Sequence, residues 1–448
     1  MVDEGDDVMT LLEVKNLKVY FKIMKGVVKA VDDVSITLER GETLGLVGES
    51  GCGKTTTAFA IMKLLPSNGT IVGGKIIFNG KVIARAELEI VNSMRGTLTS
   101  PDWLALSKDI LATENEELAT AEKETYAMPE SKDKKYELKR MNTRKKAHER
   151  LKYILDRLET RLKDGQAEKW KEKFSKELDR IENGYSFKKA KRALQMKTER
   201  DMTKIRWKHI SIIFQSAMNA FNPVYRVGDQ IVEAILTHEK ISKKEARKKA
   251  MQLFKIVGID SSRIRGYPHE FSGGMRQRAM IAMALACNPD MIIADEPTTA
   301  LDVIMQDRIL SEIKKLQTKL NLCMIIITHD ISVVAETAEK IAIMYAGKIA
   351  EMGSIAAVFK TPCHPYTIGL LGAFPSIKGE KKRLDAIPGS PPDLANPPPA
   401  CRFHPRCKYV QPICSQVEPP LAEIDTNHMA ACHFAKDIYA KQKAGVGK

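Results

Sequence analysis

Apolar and polar positions recur along this 448-residue chain with two different periods, and the switches between them lay out its elements. Residues 12–21 alternate as a half-buried strand does, 27–38 give further strand-like runs, and Arg40-Gly41-Glu42 supplies the turn that ends them. Short apolar runs at 43–47, 210–215, 291–294 and 322–328 read as buried strands. Helical stretches separate them: 55–65, stopped by Pro66; a stretch reaching Gly258; and a helix to Cys287 whose first turn Ser272 can cap. Residues 73–81 read as a hairpin arm closed by Asn79-Gly80.

Residues 84–206 interrupt this rhythm. Their first half is mixed and acidic, and from about Lys132 they become strongly charged and helix-prone. Leu151, Ile154, Leu155, Leu158 and Leu162 make one apolar stripe at helical spacing; Trp170, Phe174, Leu178 and Ile181 make another. With Asp164-Gly165 as the turn between them, they predict an antiparallel helical hairpin. Near the other end, Ile387-Pro388-Gly389-Ser390-Pro391-Pro392 and Asn396-Pro397-Pro398-Pro399 form a Pro-rich linker expected to run extended along the surface.

Length allows two or three domains, and 44% hydrophobic with 28% charged residues is ordinary for a soluble globular protein. No run reaches the roughly 18 apolar residues of a membrane span. The acidic opening, Asp3-Glu4-Gly5-Asp6-Asp7, is unlike a secretory signal, so the expected place is the cytoplasm, with any membrane role supplied by partners. The formal net charge is +15, and residues 131–207 hold 26 Lys and Arg against 13 Asp and Glu, so this one stretch carries +13 and everything else together +2. Such an arm suits nucleic acid or an anionic membrane surface, or is simply a solvated face. Four of the eight cysteines fall in the last 48 residues, and in a reducing compartment such a cluster points to a metal site rather than two disulfides.

The densest chemistry lies at Gly48-Glu49-Ser50-Gly51-Cys52-Gly53-Lys54-Thr55, which fits the phosphate-loop pattern at every fixed position and stands between a strand and a helix, as that loop requires. Its glycines let consecutive N–H groups turn inward, and the helix adds the positive end of its dipole. On a nucleoside triphosphate, Lys54 would reach the β- and γ-phosphates, Thr55 would hold Mg²⁺, and Ser50 and Thr56 could add hydroxyl contacts. Asp295 and Glu296 end a buried strand: one can bind Mg²⁺, directly or through water, while the other polarises the attacking water. His329, at the tip of the next strand, can sense or orient a γ-phosphate. Ser272-Gly273-Gly274 opens a helix and is a second anion site. Tyr20 or Phe21 could stack on a base; two aromatics on a half-buried strand is the plainer reading. Cys401, Cys407, Cys414 and Cys432 suit Zn²⁺ or an iron–sulfur cluster, without the close pairs common in zinc sites.

The order phosphate loop, Gln215, Ser272-Gly273-Gly274, Asp295-Glu296, Ala300-Leu301-Asp302 and His329 resembles the ATPase subunit of an ABC transporter. Phe221-Asn222-Pro223-Val224, Met275-Arg276-Gln277-Arg278, His364-Pro365-Tyr366-Thr367 and the cysteine-bearing tail are similar to the oligopeptide/dipeptide importer subgroup. The resemblance implies a RecA-like α/β ATPase domain over 11–83 and 207–360, with an α-helical subdomain at about 215–290. Residues 84–206 are then a charged helical insertion, and 361–448 a regulatory and cluster-binding tail. It implies ATP held between two chains, with Phe21, Gly48, Ser50, Gly51, Cys52, Gly53, Lys54, Thr55 and Thr56 from one, and Ser272, Gly273 and Gly274 from the other. Glu296, His329 and Gln215 would be catalytic; Thr55, Gln215 and Asp295 would hold Mg²⁺; and the four tail cysteines a [4Fe–4S] cluster, with Zn²⁺ the alternative. It further implies a second, paralogous ATPase chain, two membrane permeases, an extracellular solute-binding protein and a place on the cytoplasmic face of the membrane. The solute would be a peptide, though some members of the subgroup handle oligosaccharides or nickel. The chain departs from the pattern in Met275, where most ABC proteins have Gln, and in the insertion. A soluble ABC ATPase working on nucleic acid or ribosomes through the basic arm is the rival, but in such repair ATPases the coiled coil comes after the glutamine, and here the arm precedes Gln215; no nucleic acid is expected.

Overall fold

A computed structural model describes residues 10–24, 26–85, 91, 94–95, 97–98, 102–127, 130, 132–161, 167–183, 199, 201–215, 220–297, 303–372 and 387–446. They fall into two compact units, one of residues 1–70, 75–84 and 202–448 and one of 71–74 and 85–201.

The larger unit begins with long antiparallel strands β1 (Thr10–Ile23) and β2 (Gly26–Glu39), joined in a four-stranded sheet, order β2-β1-β4-β5, by β4 (Gly69–Phe78) and β5 (Lys81–Arg85). The predicted Asn79-Gly80 turn links β4 to β5 with both residues at positive φ, 47° and 71°, the geometry that a two-residue hairpin needs. Between these strands lie β3 (Thr43–Val47) and α1 (Lys54–Ile61). The helix ends four residues short of the expected Leu65, because Lys63 turns left-handed at φ 52° and the Leu64 N–H reaches back to the Phe59 carbonyl.

A second sheet has eight strands in the order β11-β12-β10-β9-β3-β8-β7-β6. Its centre is parallel: β6 (Ile210–Ile213), β7 (Met291–Asp295), β8 (Cys323–Thr328), β3 and β9 (Lys340–Tyr345). Every residue of β3, β6, β7 and β8 is buried, which is why these runs are apolar throughout instead of alternating. β10 (Lys348–Ser354), β11 (Ala422–Asp425) and β12 (His428–Ala430) extend it antiparallel, so the cysteine-bearing tail is built into the nucleotide domain's own sheet. Register aligns the strand ends: Val47 pairs with Thr328, Asp295 with Ile327 and Ile213 with Ala294, so the residues after β3, β8, β7 and β6 emerge at one edge. The carboxyl ends of parallel strands are where open α/β sheets bind ligands.

The unit's longer helices are amphipathic or buried. Three long helices of the described residues belong to the smaller unit, and the larger one continues with α5 (Val227–His238), α6 (Lys243–Ile256), α7 (Gly273–Ala284), α8 (Val303–Leu320), α9 (Ile331–Thr337), α10 (Ile355–Lys360), α11 (Pro365–Gly372), α12 (Ile413–Gln416) and α13 (Ala435–Val446). Ile231, Ile235, Phe254, Met280 and Ile281 from α5, α6 and α7 share one core with Ile292 and Met324 of the sheet.

The smaller unit holds α2 (Trp103–Ala127), α3 (Lys132–Arg161) and α4 (Ala167–Asn183). Leu151, Leu155 and Leu158 meet Phe174, Leu178 and Ile181, the two stripes expected of a hairpin, and Trp103 lies 5.3 Å from the Phe174 ring. The proposed turn at Asp164-Gly165 lies outside the described residues. Part of the positive charge is answered within this unit: Arg144 pairs with Glu114, Lys145 with Glu122 and Arg150 with Glu177.

Candidate active site

The loop after β3 is shaped by its glycines. A Cβ at Gly48 would stand 2.2 Å from the Met344 carbonyl oxygen, and one at Gly53, where φ is 108°, would stand 2.3 Å from that of Ala30. No other residue fits either place. Gly51, at φ 77°, faces nothing within 4 Å, so the loop is open on that side. α1 begins at Lys54 with no side-chain cap, which leaves its first N–H groups pointing at the loop, a ready anion site. The buried Lys54 ammonium donates to the carbonyls of Gly48 (2.7 Å) and Glu49 (2.9 Å), folded back onto its own loop. Cys52 is buried under the loop, its sulfur 3.7 Å from Lys54 Nζ, while Ser50 is exposed and Thr56 half-buried.

At the neighbouring strand ends the polar side chains converge. Thr55 Oγ1 donates to Asp295 Oδ1 at 3.2 Å, Gln215 Nε2 donates to Glu296 Oε2 at 2.9 Å, and His329 Nδ1 is 3.2 Å from Glu296 Oε1. Glu296 sits at φ 47°, a left-handed conformation that costs a non-glycine residue on the order of 1 kcal/mol and sends its side chain between Gln215 and His329. Its N–H is held by the Ile327 carbonyl at 2.8 Å. Burial raises the Asp295 pKa above the usual aspartate range, helped by the Glu296 charge and opposed by the Thr55 hydrogen bond and Lys54. Pro297 is fixed in turn by Gln277 of α7, whose amide donates to its carbonyl at 2.6 Å.

Ser272 caps α7 as expected, accepting from the Met275 N–H at 3.3 Å, with Gly273 and Gly274 in the first turn. The hydrogen bonds that knit the strand ends together do not include Ser272. Phe21 is half-buried with its ring edge over Gly69, where a Cβ would lie 2.7 Å from Phe21 Cε1, while the Tyr20 hydroxyl donates to Asp32 at 2.9 Å. Ala300-Leu301-Asp302 lies outside the described residues.

Two contacts on the phosphate loop have no counterpart in any local pattern. The Glu49 N–H donates to the Tyr366 hydroxyl at 3.0 Å, and the Glu49 carboxylate takes two parallel bonds from Arg406, at 2.7 and 3.0 Å. Their partners are 317 and 357 positions away, beyond the reach of any spacing rule. Nearby, Arg402 binds Asp32 of β2 and the Ala346 carbonyl.

In the tail, Cys401, Cys407, Cys414 and Cys432 line one small cavity with His404 and His433 at its walls. Burial pushes the thiols of Cys401, Cys407 and Cys432 up, that of Cys432 to about 12. Among the described residues, the one Cys/His/carboxylate trio whose ligand atoms all lie within 4.8 Å of one another is Glu351, Cys363 and His428, so the module's thiols are more widely spread. Glu351 is spoken for: it accepts from the N–H groups of Cys363 and His364, each at 2.8 Å, and pairs with His428 at 2.7 Å.

Comparison with known proteins finds two family matches. The ABC transporter family matches residues 31–194 and 186–299, and the family described as "Oligopeptide/dipeptide transporter, C-terminal region" matches 350–414. The oligopeptide transport ATP-binding protein OppD of Bacillus subtilis is 36% identical over 94% of this chain and 88% of its own length. OppD of Escherichia coli is 36% identical over 94% and 92%, and the dipeptide transport ATP-binding protein DppD of Bacillus subtilis 35% over 94% and 94%.

Proposed function

Because the chain belongs to the ATP-binding subunits of ABC transporters, in the branch with the oligopeptide/dipeptide C-terminal region, we propose that it energises import of peptides across a membrane by hydrolysing ATP at the β3 loop. The observation that carries the mechanism is the placement of Glu296, gripped by Gln215 and His329 one residue beyond the Asp295–Thr55 contact. The loop N–H groups and Lys54 bind the phosphates, Lys54 leaving its own loop carbonyls to do so. Thr55, Asp295 and Gln215 offer the hard oxygen donors that suit Mg²⁺, which when bound supplies neutralisation of the phosphate charge. Glu296 accepts the proton of the attacking water, and His329 and Gln215 hold its carboxylate toward the γ-phosphate. Phe21 would stack on the base. Ser272, Gly273 and Gly274 would close on the nucleotide of a second ATPase chain, a paralogue, so that ATP draws two chains together and hydrolysis releases them.

Glu296→Gln keeps the shape of the site and removes the base. ATP affinity should stay within about threefold while turnover falls by at least about 100-fold, the size of a lost general base. Undiminished hydrolysis in that variant would place the base elsewhere.

The peptide reading draws on the relatives OppD and DppD and on the match of residues 350–414 to the oligopeptide/dipeptide C-terminal region; an oligosaccharide is the other solute in play. Two permeases, an extracellular solute-binding protein and a position on the cytoplasmic face go with it. No helix among the described residues is long and apolar enough to cross a membrane, so a membrane role would come through partners. The tail cysteines would hold a [4Fe–4S] cluster, with Zn²⁺ the alternative: four thiols line one cavity, and their sequence spacing lacks the close pairs common in zinc sites. When bound, such a cluster would serve as a staple for a loop-rich module.

A further inference from the structure

Glu49 is the one acidic residue of the phosphate loop, and a free carboxylate there would repel the triphosphate that the loop exists to hold. The chain answers it from its far end. The Arg406 side chain is only 7% exposed and spends every N–H it has: Nη1 on Glu49 Oε2 (2.7 Å) and the Tyr345 hydroxyl (3.3 Å), Nη2 on Glu49 Oε1 (3.0 Å) and the Gly389 carbonyl (3.2 Å), and Nε on the Pro388 carbonyl (2.8 Å). A bidentate guanidinium–carboxylate pair fixes orientation as well as charge. The Tyr366 hydroxyl, on a ring wedged between Tyr345 and Phe403 at centroid distances of 4.7 and 5.5 Å, takes the N–H of the same Glu49. Lys54 rests on the Glu49 carbonyl, so all three polar groups of this one residue are in use.

We propose that Arg406 and Tyr366 are positioning residues of the ATP site, which neutralise Glu49 and hold the phosphate loop in its binding shape. Nucleotide affinity in this chain is then a property of the tail as much as of the loop. By linkage, ATP steadies the tail by the same factor that the tail strengthens ATP. The inference rests on ATP occupying the β3 loop.

The test is calorimetric ATP binding and steady-state hydrolysis on the full chain. Arg406→Gln should raise the ATP Kd and KM about tenfold with kcat within about twofold, because the groups at Glu296 are untouched. Neutralising the partner as well, in Glu49→Gln/Arg406→Gln, should bring Kd back to within about threefold of wild type. A merely structural Arg406 predicts the opposite order, with the double variant no better than the single one, and that result would overturn the proposal. So would Arg406→Gln binding ATP as wild type does while Lys54→Ala does not; if Lys54→Ala also binds normally, the site assignment itself is wrong. Should Arg406→Gln fail to fold, Tyr366→Phe, which removes a single oxygen, decides: about a threefold loss of ATP affinity supports positioning from the tail, and unchanged affinity refutes it.

Discussion

Asp295 shows how much at this site turns on one side chain. Burial raises its pKa, the adjacent Glu296 adds to the rise, and the Thr55 hydroxyl only partly offsets them. A carboxylate with a raised pKa takes up its proton earlier as pH falls, and a protonated carboxyl cannot hold Mg²⁺. Mg²⁺ affinity of the ATP-bound protein should therefore begin to fall at a pH above the usual aspartate value of about 3.9. Asp295→Asn, measured beside it by Mg²⁺ titration, should bind the ion weakly and lack that part of the pH dependence. If the wild type and the variant lose Mg²⁺ in parallel on acidification, Asp295 is not the ligand. The residues of this centre were readable because each marks the end of a short buried strand and the phosphate loop's spacing is local. Glu49, at a variable position of that loop, carried no signal, since its partners Tyr366 and Arg406 are set by the tertiary fold.

At the scale of elements, β3, β7 and β8 were plain from their unbroken apolar runs, whereas α2 was not. Its inward stripe runs Trp103, Ser107, Leu111, Glu114, Leu118 and Thr125, all buried, at helical spacing. Half of those positions are polar, satisfied by partners that sequence does not show: Ser107 by Thr97 at 2.8 Å and Glu114 by Arg144 at 2.9 Å. A hydrophobic period therefore passes over it. β11 and β12 were missed for another reason: with 4 and 3 residues they are too short to show any period and exist as strands through pairing with each other and with β10. Those strands frame the cysteine module, where the expected outcome is specific. Protein purified without oxygen should carry close to four iron atoms per chain with broad visible absorbance, and Cys→Ser at any of Cys401, Cys407, Cys414 or Cys432 should lower both. Colourless protein holding zinc, or no metal, would refute the cluster.

For the whole molecule, the division into two units separates what is accounted for from what is additional. The larger unit carries the nucleotide chemistry and a tail laced into its sheet, from β12 on β10 to Arg406 on the phosphate loop. The smaller unit has its own apolar core and contains the strongly basic stretch that begins near Lys132, part of its charge paired internally along α3. Nothing in the nucleotide chemistry calls for it, and a basic helical arm is the one feature that would equally serve a protein working on nucleic acid. Isolation of the chain from native membranes in mild detergent, with identification of its companions, separates the two most directly. Two hydrophobic permeases and a second ATPase chain are expected in the same complex. Recovery only from the soluble fraction, with nucleic acid or ribosomes bound, would contradict the transport function and leave only the ATPase.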